Sequence, residues 1–375
     1  MAHRTSKKKK LWGEQFQLIF LYALIFAAPL YSGFVPLGSD YFYAFAVSML
    51  AFSLPVILAR SAPTIPLDLE HRRAFEIIIL IAFSTMVLTY YGFGGGLTDR
   101  SSIREGTTNI NMSNSFLVTL IANSNFLLSG IAAYLIQKGL DNQKRKHLYL
   151  GVFLAVAMLN MTGTRFLFLL ATAPLFYSFF FDSHYFRKLL FFVLLVAASS
   201  FVAITRSGFN INVATLVFYD LPSTASALAV QSSEPSFWSI GYFFIGNIVV
   251  LIPRAIFPGK PVDPTSVDFT IAVLGTNAFD AGATYLPGFV GSAWLYGAWI
   301  AVAIFSFLLG YLLLKAFPND RRSSTTQRTL KALLFIGLIL QFRNISIFYL
   351  LPYFYMAVGL RSTAALRSLF PKKVL

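Results

Sequence analysis

The sequence predicts an all-α fold, a polytopic integral membrane helical bundle of about ten (10–12) transmembrane helices with one large external loop containing short interfacial helices. Three observations lead there. Of the 375 residues, 57% are hydrophobic and only 12% charged, with a mean hydropathy of +0.67; a soluble domain is near half apolar and a quarter charged. The apolar stretches each run close to the ~20 residues that one helical bilayer crossing needs. Strand-type alternation is absent, which argues against a membrane barrel.

Taken in order, the chain opens on a basic cytoplasmic tail, residues 1–14, containing "MAHRTSKKKK". A basic tail before an apolar run also describes a signal peptide. No small-residue cleavage site follows the run at 15–35, and many further apolar runs do, so it reads as a first span with its N-terminus inside. Further spans are predicted at 41–59, 74–92, 115–136, 148–163, 166–182 and 189–205, making residues 15–205 an N-terminal transmembrane bundle of about seven helices. Residues 206–287 hold no clean span and are rich in turn formers; they read as the large external loop. Its stretch "FWSIGYFFIGNIVVLI" (237–252) is apolar enough to lie on or dip into the outer leaflet.

Two apolar runs follow, at 288–316 and 330–361, the C-terminal transmembrane helices. The second would reach roughly 48 Å as one helix, too long for a single crossing, and carries "QFRN" (341–344) at its middle. It reads as two short helices, or a re-entrant hairpin, turning near Arg343. Residues 362–375 form a cytoplasmic tail. This topology puts most of the 30 cations inside; the exceptions are Arg100, Arg104, Arg165, Arg206, Arg254, Lys260 and Arg343. That bias satisfies the positive-inside rule, and the inverted topology violates it. The formal charge of +15 is therefore read as cytoplasmic-loop bias, and no nucleic-acid partner is expected.

Several chemistries are excluded. There is no cysteine, hence no thiolate nucleophile and no disulfide. His3, His71, His147 and His184 all fall in predicted cytoplasmic segments, so no metal cluster is expected and none can act as a base outside. "GFGGG" (92–96) reads as a flexible exit from the membrane. No cofactor is expected.

The external cations are the informative set. Arg165 sits in the turn "NMTGTRF", Arg206 follows a span in "TRSGFN", Arg254 and Lys260 bracket "AIFPG", and Arg343 lies between the last two short helices. An arginine at membrane depth costs about 2.5–3.5 kcal/mol on insertion scales; such residues pair, snorkel or bind a ligand. Guanidinium forks match phosphate oxygens bidentately, and a phosphate near the headgroups means a lipid-linked phosphate or pyrophosphate. External acids are Asp40, Asp99, Glu105, Asp220, Glu234, Asp263, Asp268 and Asp280; the five of the large loop, Asp220, Glu234, Asp263, Asp268 and Asp280, are candidate bases and each is also explicable as a turn or cap residue. Tyr285 and Trp294 read as interface anchors, or as a sugar-stacking surface.

"IPRAIFPGKPVDPTSVDFT" (252–270) resembles the Pro-Arg…Pro-x-Lys-Pro signature of bacterial oligosaccharide repeat-unit polymerases, the Wzy-like O-antigen and capsule polymerases. "ATYLPGFVGSAWLYGAWI" (283–300) resembles the segment in which a Pro-Gly turn opens a helix after their loop. The resemblance implies a glycosyltransferase of the bacterial cytoplasmic (inner) membrane, N- and C-termini cytoplasmic. It would join repeat units carried on undecaprenyl pyrophosphate on the outer face, with no metal and no nucleotide sugar. Arg165, Arg206, Arg254 and Arg343 would take the pyrophosphate and leaving-group role, with Lys260 a weaker point charge. Asp263 or Asp268 would deprotonate or orient the acceptor hydroxyl. Partners implied are undecaprenyl-pyrophosphate-linked oligosaccharide, the lipid bilayer, a chain-length regulator and a flippase. Lack of an external histidine counts against a ligase or an acyltransferase. The alternative is a flippase or exporter of lipid-linked oligosaccharide. It should line a path with mid-helix polar residues, from which the spans 15–35, 41–59 and 189–205 are almost free.

Overall fold

The computed structural model describes residues 19–20, 22–23, 40–58, 116–143, 145–162, 165–182, 245–246, 249, 256–257, 288–316, 324–341 and 345–358. Among them every regular element is helical: α1 (Asp40–Leu58), α2 (Phe116–Asn142), α3 (Arg145–Thr162), α4 (Arg165–Ala171), α5 (Ala173–Asp182), α6 (Gly288–Ala316), α7 (Thr325–Leu340), the 3₁₀ turn η1 (Ile347–Leu350) and α8, residues 351–358. The run predicted at 330–361 thus holds two helical pieces, one ending at Leu340 and the next opening with the 3₁₀ turn at Ile347. Residues 74–92 and 189–205 lie outside the described residues, as does nearly all of the predicted loop. Among the described residues, Gly288–Leu314 is the helix long and apolar enough to cross a membrane.

Small residues set how closely these helices approach. α2 and α3 form an antiparallel pair joined at Gln143, whose φ is 53°. Within it Gly139 lies against the Leu148 backbone and Gly151 against Ile136 and the Ala132 carbonyl, where a Cβ would meet atoms at 2.6 and 2.7 Å. Gly130 faces Met356 and the Pro352 carbonyl, seating α8 beside α2. Gly337 of α7 packs under the Tyr349 carbonyl, closing the α7–η1 hairpin. α4 and α5 are one helical path interrupted at Thr172, whose hydroxyl donates back to the Phe168 carbonyl at 2.7 Å, a contact that bends helices.

The other tightly packed pair is α1 with α6. The Ser48 and Ser306 hydroxyls are 2.8 Å apart, and a Cβ on Gly310 would fall on the Phe52 carbonyl oxygen. Both contacts share one offset of 258 positions, so the helices run parallel and in register. Tyr22 completes the layer, its hydroxyl bonded to Ser48 and its ring stacked on Phe52 with centroids 4.0 Å apart. The pair is therefore close and carries buried hydroxyls among apolar side chains such as Phe52, Val56, Phe305 and Leu309, while Leu50, Leu54, Ile57 and Leu58 of α1 and Ile300, Ile304 and Phe307 of α6 point outward, Leu50 with 74% of its surface exposed. Buried hydroxyls and exposed leucines invert the pattern of a water-soluble helix pair.

α6 is broken. Gly297 (φ 176°, ψ 26°) and Ala298 (φ 46°, ψ −137°) leave the helical region. The Ala298 conformation is one that glycine reaches without steric cost and alanine does not. Carrying the 258-position offset back from Ser306 sets Ala298 level with Asp40 and Ala316 level with Leu58. The second half of α6, residues 298–316, thus has the length of α1 and starts where α1 starts.

Two outcomes follow. Ala298→Gly should raise stability by about 1 kcal/mol, since it relieves strain at positive φ, read as a higher unfolding temperature in detergent; a loss would mean that the break is not held as described. Gly310→Val should destabilise by several times that amount, because the Phe52 backbone cannot retreat as a side chain can.

Candidate functional site at the α4 and α7 ends

Of the residues singled out by sequence, Arg206, Arg254, Lys260, Asp263, Asp268 and Arg343 lie outside the described residues. Arg165 is described in its backbone alone, as the first residue of α4. Between Arg254 and Lys260 the structure gives Ile256 in a turn and Phe257 beside it, both exposed, an apolar tip between two cations in the sequence.

The surroundings of two of the arginines are better defined. Phe166, next to Arg165, meets Tyr349 of η1 edge-on with ring centroids 5.4 Å apart, and Phe126 of α2 at 6.1 Å. Phe126 also stacks with Phe348 at 5.8 Å. This aromatic group holds the start of α4, the middle of α2 and η1 together. Just before η1, the Gln341 amide bonds Ser346 twice. Nε2 donates to the Ser346 carbonyl and Oε1 accepts from the Ser346 N–H, both at 2.8 Å and both buried. Gln341 and Ser346 are thereby clasped, and Arg343 lies in the chain between them. The start of α4 and the Gln341–Ser346 clasp are therefore brought to the same end of the α2–α4–α7 group. Neither the clasp nor the aromatic group was singled out by sequence. "QFRN" drew attention through its arginine, and nothing local shows that Gln341 pairs with Ser346.

At the opposite end sits an ion pair that sequence reasoning missed. Asp141, in the last turn of α2, is bonded to Arg328 of α7. It also accepts from the Thr325 hydroxyl at 2.8 Å and from Gln137 Nε2 at 2.8 Å. Ser324 caps α7 by accepting from the Gln327 N–H, and an aspartate beside that helix start suits the dipole. Read from sequence, Arg328 and Lys331 are loop cations; in the structure both belong to α7, and Lys331 is buried. The cluster leaves Gln137 Oε1 and Arg328 Nε without a hydrogen-bond partner among the described residues.

Trp294 corrects a further expectation. It is not a lipid-facing anchor: it is 9% exposed, within the core that α6 shares with its neighbours, and its Nε1 has no hydrogen-bond partner among the described residues. Its ring meets Trp299 edge-on at 4.8 Å. Among the described residues, no group of three or more His, Asp or Glu side chains is placed to hold a metal.

Either Asp141→Ala or Arg328→Ala should cost about 1–3 kcal/mol, because each leaves a mostly buried charge unpaired. The double variant should cost clearly less than the two singles added, measured by unfolding in detergent. Strict additivity would show that the pair does not act as a unit. Comparison with protein-family models, with curated proteins and with solved structures finds no match.

Proposed function

We propose that the chain is a multi-pass protein of the bacterial cytoplasmic membrane that polymerises oligosaccharide repeat units carried on undecaprenyl pyrophosphate. In this reading about ten helices cross the bilayer, both ends are cytoplasmic, and residues 206–287 form the loop on the outer face. The outward leucines of α1 and the outward Ile300, Ile304 and Phe307 of α6 suit lipid contact. The helix directions accord with it too. α1 and α6 run parallel, as do α2 and α8, while α2 pairs antiparallel with α3. A chain that alternates through the bilayer in the predicted order requires those relations.

The observation that carries the reading is the Phe166–Tyr349 contact taken with the Gln341–Ser346 clasp. In the predicted topology that end of the group faces outward, so the start of α4, which carries Arg165, lies on the outer side together with the Gln341–Ser346 clasp that brackets Arg343 in the sequence. The Pro-Arg…Pro-x-Lys-Pro segment supplies Arg254 and Lys260 from the adjoining loop, and Arg206 stands at the loop's first residue.

The chemistry is a substitution at the anomeric carbon of the growing chain. The acceptor hydroxyl on the terminal sugar of a lipid-linked unit forms the new C–O bond and gives its proton to a carboxylate, Asp263 or Asp268. The bond from the anomeric carbon to the pyrophosphate oxygen breaks, and lipid pyrophosphate leaves. Negative charge builds on that oxygen, and cations fixed in place beforehand stabilise it without reorganisation. Prolines around Arg254 restrict its backbone, which suits a fixed guanidinium better than a snorkelling one.

The test is a reconstitution: purified protein, lipid-pyrophosphate-linked repeat units, no added metal, and a gel read for a ladder of products. A ladder that is lost in Arg254→Ala is the expected result. Arg254→Lys should also be inactive if bidentate geometry matters. Full polymer length and yield in Arg254→Ala would remove Arg254 from the mechanism. Movement of the lipid across a vesicle membrane without any ladder would replace the polymerase reading with that of a flippase.

A further inference from the structure

We propose that the outward face of α3 is a binding site for an anionic glycerophospholipid, with the headgroup at Arg145 and Lys146 and an acyl chain along the apolar side chains beneath them. The inference rests on the reading of the chain as membrane-embedded. It concerns a different lipid, and by the predicted topology a different leaflet, from the proposed substrate.

The face is one unbroken stripe. Arg145, Lys146, Tyr149, Leu150, Phe153 and Val156 are exposed. Each has another member three or four positions away, the spacing of neighbours on a helix surface. The opposite face is occupied: Gly151 lies against Ile136 and the Ala132 carbonyl of α2, and Met158 is fully buried.

The stripe changes chemistry along its length. Two cations come first, then a tyrosine, then leucine, phenylalanine and valine. From Arg145 to Val156 the helix rises roughly 17 Å at 1.5 Å per residue, about one leaflet of a ~30 Å hydrocarbon core. Cation, amphipathic ring and apolar side chain therefore follow the depth profile of a single leaflet, from headgroup to acyl chain.

The charge is not answered within the protein. α3 holds no acidic residue. The nearest acid in the sequence, Asp141, is already bonded to Arg328, Thr325 and Gln137. Among the described residues neither Arg145 nor Lys146 has an ion-pair partner. A lipid phosphodiester answers both cations. The guanidinium fork matches its oxygens bidentately, and the ammonium adds a point charge.

Two other occupants fit this face less well. A second copy of the chain, related by a twofold axis along the membrane normal, would set Arg145 and Lys146 against the same two cations. A neutral lipid would fill the apolar part and leave the cations unmatched. α1 is that plainer case: it exposes Leu50, Leu54 and Ile57 and contains no basic residue.

The test places a probe on each helix. The chain has no cysteine, so Phe153→Cys on α3 and Leu54→Cys on α1 each accept a single bimane label. The labelled full chain is reconstituted in phosphatidylcholine vesicles containing phosphatidylglycerol, and quenching by lipids brominated on the acyl chain reports which lipid lies beside the label. At Phe153→Cys, brominated phosphatidylglycerol should be favoured over brominated phosphatidylcholine by about fivefold or more. At Leu54→Cys the two should be equal. Adding Arg145→Gln and Lys146→Gln to Phe153→Cys should bring the ratio to about one. Salt gives the same test without those substitutions: about 0.5 M NaCl should cut the ratio by roughly half or more. A ratio near one at Phe153→Cys, a ratio that survives both charge removal and salt, or an absence of quenching there overturns the proposal. The polymerase reading fails separately. A phosphatidylglycerol preference without any product ladder would sink the activity and keep this site, whereas a full ladder with no preference would sink this site alone.

Discussion

The contact between Gly310 and the Phe52 carbonyl is the constraint from which the α1–α6 layer is built. Two helices can lie with backbones this close only where one of them has no side chain. Once Gly310 is seated, the Ser48 and Ser306 hydroxyls come within bonding distance, and Tyr22 can reach Ser48 while stacking on Phe52. The register is then determined along the whole pair, and with it the level at which α6 must change course. Apolar burial cannot supply this specificity if lipid surrounds the pair, because lipid is as apolar as leucine. Close packing and interhelical hydroxyl bonds remain, and both are present here.

The same logic recurs on the other side of the molecule with different residues. Gly139 and Gly151 draw α2 and α3 together, Gly130 admits α8, and Gly337 admits the η1 backbone. At Gly139, Gly151 and Gly337 a main-chain atom occupies the space that a Cβ would need, and at Gly130 the Met356 side chain does. Polar bonds then fasten the two ends of this group in different ways. One end is closed by neutral amide bonds from Gln341 to Ser346, the other by the Asp141–Arg328 pair with Thr325 and Gln137 around it. A charge pair at one end and an amide clasp under an aromatic group at the other make the two ends chemically distinct.

Much of the helix layout was legible in the sequence because it depends on the length of apolar runs, a local property. Runs predicted at 41–59, 115–136, 148–163, 166–182 and 288–316 are helical at closely similar bounds, and an arginine in mid-run marked the division of 330–361. Boundaries that depend on side-chain partners were less legible. α2 continues to Asn142 because Gln137 and Asp141 are bonded within its last turns and to α7, and α7 begins at Thr325 because Ser324 caps it. The break in α6 left no local mark: Gly297 resembles the other small residues of a packed helix, and Ala298 is a good helix former. For the candidate site, sequence singled out cations but could not show that the start of α4 and the Gln341–Ser346 clasp share one end of the group. That depends on Phe126, Phe166 and Tyr349, whose pairing joins residues far apart in the chain.

The distribution of buried polar groups bears on whether such a molecule passes a substrate through itself or works on it at one face. A path for a charged glycolipid head across a bilayer needs polar side chains at intervals along its depth. Within the described helices, the buried polar groups away from the ends include the hydroxyls of Ser48, Ser129, Thr172 and Ser306, each bonded to a neighbouring hydroxyl or to the carbonyl of the preceding turn, and Asn125 Oδ1 of α2, which has no hydrogen-bond partner among the described residues. Hydroxyls engaged in this way fasten helices and do not line a passage. The Asp141–Arg328 pair and buried Lys331 belong to the end where α2 finishes and α7 starts, and Trp294 lies where α6 changes course near the start of its paired half. Among the described residues, charged groups lie toward helix ends with bonded hydroxyls between them, a distribution that suits the proposed action at one face better than a polar path through the bilayer.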